Sequence, residues 1–280
     1  VENAFPVLKA AYDSGVENRI YQSHNNFKDK LNNMSFIRKA YLKIINFFAI
    51  KYSTQRVAVS KSAGNTLFGE CEYQHIPLGI ELNRFTPHRN KVLSRTDFGL
   101  TCDDIVIGHV GRFDLLKNHG FIVEIASIVI KEFPLAKFVF VGDGSSQHKI
   151  KQQVKQFNLE RHFLFLGIRS DVPDLMRELM DFFIFPSISE GLGLVVVEAQ
   201  AAGLPIICSS AIPSEAIVNN KLVKVLDLEE GKINWAIELT TQLNKIRSRD
   251  QKASFDVVNA SEFNLGRTIS LLEKLWLEKK

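Results

Sequence analysis

IVIGHVGRFDLLKNHGFIVEIASIVIKEFPLAKFVFV, residues 105–141, carries the pattern that decides the fold. Two continuous apolar runs, 105–110 and 137–141, flank a segment, 119–132, whose apolar residues recur at helical spacing. Unbroken runs of Val, Ile and Phe are typical of strands in a parallel sheet that is covered on both faces. The stretch therefore predicts a strand–helix–strand unit.

The same alternation continues toward the C terminus. Further apolar runs lie at 163–166, 182–185, 205–208 and 222–226, and helical spacing returns at 147–157. Strands that alternate with helices predict a doubly wound α/β domain.

The first 85 residues are less regular and read as part of a second α/β unit, too short to be a complete one. Helices are predicted at 3–12, 30–51 and 61–68, strands at 19–22, 56–59 and 73–77, and a linker at 78–87. A final helical pattern spans 265–279, with no strand after it.

Composition narrows the class of protein. The 280 residues are 45% hydrophobic and 24% charged, as in an average soluble globular protein. The three cysteines form no CxxC pair, which argues against a disulfide framework or a zinc site and suits a reducing cytosol. No run has the length of a spanning helix, and no signal peptide is visible.

The stretch PSISEGLGLVVVEAQAAGLP, residues 186–205, follows a predicted strand with a glycine-bearing turn and a helix from about Gly193. Such a turn presents backbone N–H groups and the positive end of a helix to an anion. Glu190 lies on the turn, and Glu198 follows two helical turns later inside an apolar run. Two glutamates alone more often form a solvated surface, but an unpaired charge in an apolar run is costly, which favours a functional role.

A second candidate site lies in GHVGRFDLLK, residues 108–117. Ligands of open α/β sheets bind beyond the carboxyl ends of the strands, where Arg112 and Lys117 follow the strand 105–110. Their cationic groups suit a diphosphate. The alternative is a surface arginine and a lysine at the start of the next helix. A lysine there opposes the helix dipole, so an anion is expected nearby.

The sequence GDGSSQ at 142–147 is a near match to the GxGxxG dinucleotide fingerprint. Gln147 stands where the last glycine belongs, and the next strand ends in Gly167 rather than in an acidic residue. The match is weak evidence for NAD.

Five motifs follow one another in the chain. They are IPLGIELNRF (76–85), GRFDLLKN (111–118), FVGDG (140–144), FLGIRSDVPDLM (165–176) and SEGLGLVVVEAQAAGLPI (189–206), the last with Glu190 and Glu198 as the ends of an EX7E pattern. In this order they make residues 75–278 resemble the nucleotide-binding half of the family-4 glycosyltransferases, retaining enzymes of the GT-B fold. The sequence EAQAAGLP is most similar to bacterial capsule and exopolysaccharide enzymes.

The resemblance implies α/β architecture with two Rossmann-like doubly wound domains. The expected domains are a partial N-terminal, acceptor-side domain (1–83), a nucleotide-sugar-binding domain (84–260) and a C-terminal helix (261–280) that packs back toward the N-terminal domain. Nothing matches the opening strand and glycine-rich loop of the family's first domain, so that domain is expected to be incomplete.

The resemblance also implies roles for individual residues. Arg112 and Lys117 would bind the donor's diphosphate, Glu198 the ribose hydroxyls and Glu190 the donor sugar. His24, in RIYQSHNNF (19–27), would approach that sugar, although a lone histidine in SHNN is by itself more often a loop or capping residue.

Two further groups of donor-binding residues follow from the resemblance. The nucleobase pocket would be lined by Gly167, Ile168 and Arg169. Backbone N–H groups near sugar and phosphate would come from Gly191, Leu192, Gly193 and Leu194.

The expected reaction is transfer of a sugar from a nucleoside diphosphate, with uridine favoured over guanosine, to a hydroxyl of a glycan or lipid-linked acceptor, with retention of configuration. No cofactor and no metal are expected. The alternatives are a non-catalytic or truncated sugar-nucleotide-binding subunit, a GT-B epimerase or phosphorylase and, least favoured, an NAD oxidoreductase.

The formal net charge of +4 resides in one segment. Lys28–Lys51 holds six basic residues and one acid, so the rest of the chain sums to −1, which argues against nucleic acid as a partner. Apolar residues recur there at helical spacing. The segment is either a core-facing helix with a solvated basic side or, since capsule-type enzymes act on lipid-linked acceptors, a face that rests on anionic lipid. The expected location is cytoplasmic, peripheral at the inner face of the plasma membrane.

Overall fold

The computed structural model describes residues 3–24, 34–87, 93–245 and 249–277. It divides into two compact units, one formed by Val1–Gly79 with Glu262–Lys280 and the other by Ile80–Ser261. The boundaries expected from the sequence, after 83 and 260, lie within a few residues of these divisions.

The first unit is a small parallel sheet with helices. Its strands are β1 (Ile20–Ser23), β2 (Gln55–Ala58) and β3 (Gln74–His75), in the order β1-β2-β3, and its helices are α1 (Ala4–Asp13), α2 (Phe36–Tyr52), α3 (Lys61–Phe68) and α10 (Leu265–Leu277). Two N-terminal caps fix where helices begin: Ser35 accepts from the N–H of Arg38, and Ser60 from that of Ala63. Because Ser35 caps α2, this helix begins at Phe36 rather than at the predicted residue 30, and residues 30–33 lie outside the described part.

The C-terminal helix α10 packs within this first unit. Gln55 donates from Nε2 to the carbonyl of Leu275 at 2.8 Å, and the side chain of Leu275 shares a buried cluster with Val57 and Ile76. At Gly79 an added Cβ would lie 2.5 Å from the Cα of Leu265, so only glycine permits this approach.

The second unit is a six-stranded, all-parallel sheet in the order β6-β5-β4-β7-β8-β9. Its strands are β4 (Ile105–Val110), β5 (Ala136–Val141), β6 (Phe163–Phe165), β7 (Phe182–Phe185), β8 (Ile206–Ser209) and β9 (Val223–Leu226). All six predicted strands are present within one or two residues. The chain builds β4, β5 and β6 outward on one side and then returns to β7 beside β4, which creates a topological switch point between β4 and β7.

Helices cover this sheet and bury its apolar side chains. They are α4 (His119–Val129), α5 (Gln147–Gln156), α6 (Val172–Asp174, continued by a π-helical turn, Leu175–Leu179), α7 (Leu194–Ala201), α8 (Gly231–Leu243) and α9 (Gln251–Asn259). Phe138, Phe140 and Phe182 from the strands pack with Ile122 and Trp235 from the helices in one core. That core holds the loops at the carboxyl ends of β4 and β7 in fixed positions.

Candidate functional site

The loops that follow β4 and β7 are joined at the switch point. The N–H of Ile188 donates to the carbonyl of Leu116 at 2.7 Å, and the hydroxyl of Ser187 donates to the same carbonyl at 2.8 Å. The hydroxyl of Ser209, at the end of β8, donates to the carbonyl of Ser187. Loops distant in sequence are thereby locked into one wall.

A cleft of about 530 Å³ opens at this wall, entirely within the second unit. Its charged lining residues are Arg84, Lys117, Arg169, Glu190 and Glu198. The remaining lining residues are Val110, Gly111, Ser170, Val172, Pro173, Gly193, Leu194 and Val195. The structure thus brings together six of the residues singled out from the sequence: Lys117, Arg169, Glu190, Gly193, Leu194 and Glu198.

Lys117 and Glu190 form an ion pair at the centre of the wall. The ammonium of Lys117 donates to Oε1 of Glu190, which also accepts from the hydroxyl of Ser187 at 2.6 Å. Lys117 Nζ lies 5.0 Å from the ring centroid of Phe185, a favourable cation–π distance. The side chains of Lys117 and Glu190 are 22% and 11% exposed. Because water reaches little of either side chain, each charge is stabilised mainly by the other.

Lys117 lies in a different element from the one expected. It ends a 3-10 turn, Leu115–Lys117, which Asp114 caps by accepting from the N–H groups of Leu116 and Lys117. Asn118 then adopts the left-handed conformation (φ 56°), and α4 begins only at His119. Lys117 therefore precedes α4 instead of lying in its first turn, and the anion expected beside it is Glu190.

Arg112 is not among the cleft-lining residues, although Gly111 before it is. Its guanidinium donates from Nε to Asp114 at 3.1 Å and is 77% exposed. The other donor-binding candidates outside the lining are Gly167, Ile168, Gly191 and Leu192. Ile168 is an exposed side chain.

Glu198 lies one turn into α7, whose first residue follows Gly193 in the left-handed conformation (φ 77°). Burial raises the pKa of Glu198 to about 7, and the positive charge of Arg84 opposes that rise. A carboxyl group in a cleft whose pKa lies near 7 is a typical candidate for ligand binding or catalysis.

Arg169 is clamped by its neighbour Asp171. Two hydrogen bonds join the guanidinium to the carboxylate, at 2.8 Å from Nε and 2.6 Å from Nη2, and these bonds lower the pKa of Asp171. The guanidinium carbon lies 5.8 Å from the ring centroid of Phe98. This bidentate clamp fixes one end of the cleft.

Arg84 is the charged cleft residue that the sequence analysis missed. It belongs to a 3-10 turn, Leu82–Phe85, inside the segment predicted to be a linker. The available signal was the pair Leu82 and Phe85, apolar residues three apart that both become buried. Such spacing indicates a helical turn with one face in the core.

The glycines of FVGDG have a structural purpose. Gly142 has φ 134°, and an added Cβ would lie 2.1 Å from the carbonyl oxygen of Gly111. A Cβ on Gly144 would lie 2.5 Å from the carbonyl oxygen of Phe113. These glycines let the 142–144 loop support the loop that carries Lys117, which accounts for their spacing without a dinucleotide.

Two buried histidines underlie the same loop. Nδ1 of His109 lies 2.9 Å from the carbonyl of Ile184, and the His119 ring stacks on Phe113 with centroids 4.0 Å apart. Burial lowers the pKa of both rings, that of His119 to about 4, with Lys117 adding to the effect. Both are therefore neutral at physiological pH and form a packing layer beneath the cleft wall.

His24 belongs to the other unit, where it follows β1 and is exposed. Lys28 and Lys30 of the basic segment lie outside the described residues. Residues 34–51 of that segment lie in α2 and directly before it. No helix in the described ranges is both long enough and apolar enough to cross a bilayer.

The fold places a charged cleft at the switch point of a parallel sheet, and comparison with known families identifies the class of protein. The family described as "Glycosyl transferases group 1" matches residues 93–249, more than half of the chain. The chain belongs to this family.

Two relatives extend the comparison. The chain is 34% identical over 243 residues to "Putative glycosyltransferase EpsF" of Bacillus subtilis, with 82% of this chain and 61% of the relative covered. It is 28% identical over 254 residues to the Escherichia coli "UDP-Gal:alpha-D-GlcNAc-diphosphoundecaprenol alpha-1,3-galactosyltransferase", with 86% of this chain and 64% of the relative covered. The chain therefore spans less than two thirds of the length of either relative.

Solved structures support the architecture. Anabaena HepE, crystallised with UDP and glucose, superposes with a TM-score of 0.81 at 18% identity, covering 99% of this chain and 76% of HepE. WaaG, a glycosyltransferase involved in lipopolysaccharide biosynthesis, gives 0.78 at 14% identity, covering 97% of this chain and 81% of WaaG. At such identities the likeness speaks for the fold alone, and the expected α/β fold of the GT-B glycosyltransferases is confirmed.

Proposed function

We propose that this chain is the donor-binding part of a retaining glycosyltransferase that transfers a sugar from a UDP-sugar to a hydroxyl of a glycan or lipid-linked acceptor in polysaccharide biosynthesis. The observation that carries the proposal is the convergence of Lys117, Glu190, Arg169 and Glu198 on one cleft at the switch point of a parallel sheet.

Each charged group in the cleft suits one part of a nucleoside diphosphate sugar. The Lys117 ammonium and the N terminus of α7 would hold the diphosphate, because both present positive charge to an anion. Glu198 would accept hydrogen bonds from the ribose hydroxyls, and Glu190 from the donor sugar. Residues around Arg169 would contact the base.

Lys117 links binding to chemistry. Its ammonium pairs with Glu190, so a diphosphate would compete with that carboxylate for the same donor. Movement of the Lys117 ammonium from Glu190 toward the phosphate would free the Glu190 carboxylate to accept a hydrogen bond from a sugar hydroxyl. As the bond from the sugar to the diphosphate breaks, negative charge accumulates on the leaving oxygen, where the fixed positive groups stabilise it most.

Retention of configuration is proposed to follow a front-face route, in which the departing phosphate assists the acceptor hydroxyl. We also propose Arg112 as a phosphate ligand. Its guanidinium is 77% exposed and, among the described residues, pairs with one carboxylate, that of Asp114, so exposed N–H groups can donate to a phosphate. His24 keeps its implied role at the donor sugar. Metal independence likewise stays a prediction.

The choice of uridine and of a lipid-linked acceptor rests on the names of similar proteins. The Escherichia coli relative is named for UDP-Gal and for a diphosphoundecaprenol-linked acceptor. The structures of Anabaena HepE contain UDP, one of them with glucose and another as UDP-glucose. Both lines favour a uridine nucleotide over a guanosine nucleotide for this chain.

Helix α2 supports a membrane surface as a further partner. Six of its large apolar side chains are exposed, with Phe36 85% exposed, while Ile50 and Tyr52 near its C-terminal end pack on the core of the first unit. The exposed set is Phe36, Ile37, Tyr41, Ile44, Phe47 and Phe48. The helix contains Arg38, Lys39, Lys43 and Lys51 but no acidic residue. A basic helix with exposed aromatic side chains suits the interface of an anionic bilayer, at the cytoplasmic face in this proposal.

Calorimetry and a transfer assay test the proposed function. We expect UDP to bind more tightly than GDP, and UDP-sugars to raise the melting temperature of the protein. Transfer from a UDP-sugar to a polyprenyl-diphosphate-linked sugar with retained configuration would establish the activity. Donor binding without transfer would favour the alternative of a non-catalytic binding subunit, and an absence of UDP binding would contradict both.

A further inference from the structure

Ser187 is a fully buried serine in the loop that follows β7. Its hydroxyl oxygen lies 2.6 Å from Oε1 of Glu190 and 2.8 Å from the carbonyl oxygen of Leu116. A serine hydroxyl carries one hydrogen, so at any moment it donates fully to only one of these two acceptors. The position of that hydrogen decides what Ser187 does in the cleft.

The carboxylate of Glu190 attracts this hydrogen more strongly than the carbonyl does. The carbonyl of Leu116 already accepts from the N–H of Ile188 at 2.7 Å. A hydroxyl that donates to a carboxylate forms a charge-assisted bond of about 2.5–2.7 Å, roughly twice as strong as a bond between neutral groups. The distance of 2.6 Å from Ser187 to Glu190 is of this kind. The hydroxyl of Ser187 therefore donates mainly to Glu190.

Lys117 and Ser187 both donate to the same oxygen of Glu190. The ammonium and the hydroxyl meet at Oε1, and among the residues that the structure describes Oε2 accepts no hydrogen bond. The side chain of Glu190 lines the cleft and is 11% exposed. A carboxylate held through one oxygen keeps the accepting capacity of the other for a ligand. The two donors thus attach Oε1 to the wall and leave Oε2 to the contents of the cleft.

The two donors differ in how firmly they are held. Lys117 reaches Glu190 with a long side chain, which a diphosphate would attract. Ser187 has a short, buried side chain on a backbone that is fixed on both sides. Its carbonyl accepts from the hydroxyl of Ser209, and the following N–H, that of Ile188, donates to the loop after β4. When the ammonium turns to a phosphate, the hydroxyl of Ser187 stays in place as the donor to Oε1.

We propose that Ser187 is a positioning residue, which holds Glu190 by Oε1 while Lys117 moves to the diphosphate, so that Oε2 accepts from a hydroxyl of the donor sugar. The contact with the sugar rests on the proposed function, whereas the hold of Ser187 on Glu190 does not. UDP has a diphosphate but no donor sugar, so it makes no use of Oε2. The loss of the Ser187 hydroxyl should therefore affect a UDP-sugar and spare UDP.

A purely structural role of Ser187 predicts a different result. Ser187→Ala removes the hydroxyl but leaves each of its acceptors with another donor. The carbonyl of Leu116 keeps the N–H of Ile188, and Oε1 of Glu190 keeps the ammonium of Lys117. The loop should therefore survive the substitution, and any loosening of the wall should weaken UDP and a UDP-sugar alike.

The test compares wild type, Ser187→Ala and Ser209→Ala, with Ser187→Ala also made in a Glu190→Ala background. Calorimetry measures the affinity for UDP and for whichever of UDP-galactose and UDP-glucose raises the melting temperature of wild type more. Ser209→Ala loosens the same loop without removing a donor to Glu190, so it reports the effect of loosening alone. Urea unfolding of wild type, both single variants at 187 and 190 and the double variant is measured without ligand.

We expect Ser187→Ala to weaken the UDP-sugar by about tenfold, the low end for one hydrogen bond to a charged group, and UDP by less than about twofold. Its melting temperature should lie within about 5 °C of that of wild type. In the Glu190→Ala background, Ser187→Ala should change the affinity for the UDP-sugar by less than about twofold, because its partner is absent. Ser209→Ala should affect both ligands equally.

The inference is overturned if Ser187→Ala weakens UDP and the UDP-sugar equally, leaves both unchanged, or keeps its tenfold effect in the Glu190→Ala background. The unfolding measurements separate this result from a failure of the proposed function. If Ser187 holds Glu190, the two substitutions should be non-additive by at least about threefold in the equilibrium constant of unfolding. Such coupling in a protein that binds neither ligand supports the hold on Glu190 and contradicts the proposed function, whereas additive effects overturn the inference.

Discussion

The ion pair between Lys117 and Glu190 makes a prediction in which two variants differ in sign. Lys117→Met removes the ammonium and leaves the 11% exposed carboxylate of Glu190 with the hydroxyl of Ser187. Glu190→Gln removes the competing charge and leaves the ammonium for the phosphate. The two variants break the same pair, so a purely structural role predicts similar effects, whereas the proposed binding role predicts opposite ones.

The magnitudes follow from the burial of the pair. Loss of one partner of a buried pair costs about 3–5 kcal/mol, and the residual exposure of Lys117 reduces this to about 1–3 kcal/mol. In a domain of this size each kcal/mol lowers the melting temperature by about 2–4 °C. A charge-assisted hydrogen bond to phosphate is worth about 1.5–3 kcal/mol, so Lys117→Met should weaken UDP by about 10- to 100-fold. Glu190→Gln should leave UDP affinity equal or raise it a few-fold.

Isothermal titration calorimetry of UDP with wild type, Lys117→Met and Glu190→Gln distinguishes the binding role from a purely structural one, and the melting temperatures of the three proteins are measured in parallel. Lys149→Met, at an exposed lysine of α5, is the matched control and should leave both quantities unchanged. Glu190→Gln should still lose sugar transfer, because it lacks the carboxylate proposed for the donor sugar. Equal weakening of UDP by Lys117→Met and Glu190→Gln would refute the assignment of Lys117 to the diphosphate.

Three further predictions rest on other parts of the molecule. Because the pKa of Glu198 rises from 4.5 to about 7 on folding, the folded state binds more protons than the unfolded state between these two pH values. The titration of Glu198 therefore lowers the free energy of unfolding as pH increases through this range. Glu198→Gln should therefore be more stable than wild type at about pH 8, by about 1–3 kcal/mol, but not at about pH 4, and an equal difference in urea unfolding at both pH values would contradict this. Gly142→Ala places a Cβ 2.1 Å from the carbonyl oxygen of Gly111 at φ 134°, so it should cost about 2–4 kcal/mol in thermal unfolding and also weaken UDP; a wild-type melting temperature would disprove the close approach. Binding to anionic vesicles should decrease with salt and be lost when Lys39 and Lys43 become Glu, whereas sedimentation of variant and wild type to the same extent would exclude α2 as the lipid-binding face.

The pattern of strands in the second unit was accessible from sequence because it depends on local properties. Continuous apolar runs such as 105–110 and 182–185 have the length of buried strands, and the helical spacing between them indicates that successive strands run parallel. The EX7E motif likewise placed Glu190 and Glu198 at the switch point, since strand, turn and helix are consecutive in the chain.

The partners of those residues required the tertiary structure. Lys117 and Glu190 are 73 residues apart, and their pairing depends on β4 and β7 being neighbours in the sheet. Arg84 enters the cleft because the turn Leu82–Phe85 packs on three helices, which a linker-like sequence does not reveal.

The same distinction applies to the charge of the chain. The sequence alone determined that the net positive charge lies in one segment, 28–51, and that its apolar residues recur at helical spacing. Whether that face packs into a core or stays exposed depends on which elements lie against it, and in the described residues α2 leaves most of it open. Local pattern determines which elements form. Contacts between residues far apart in the chain decide what each charge faces, because burial and partner, rather than residue type, set the energy of a charged group.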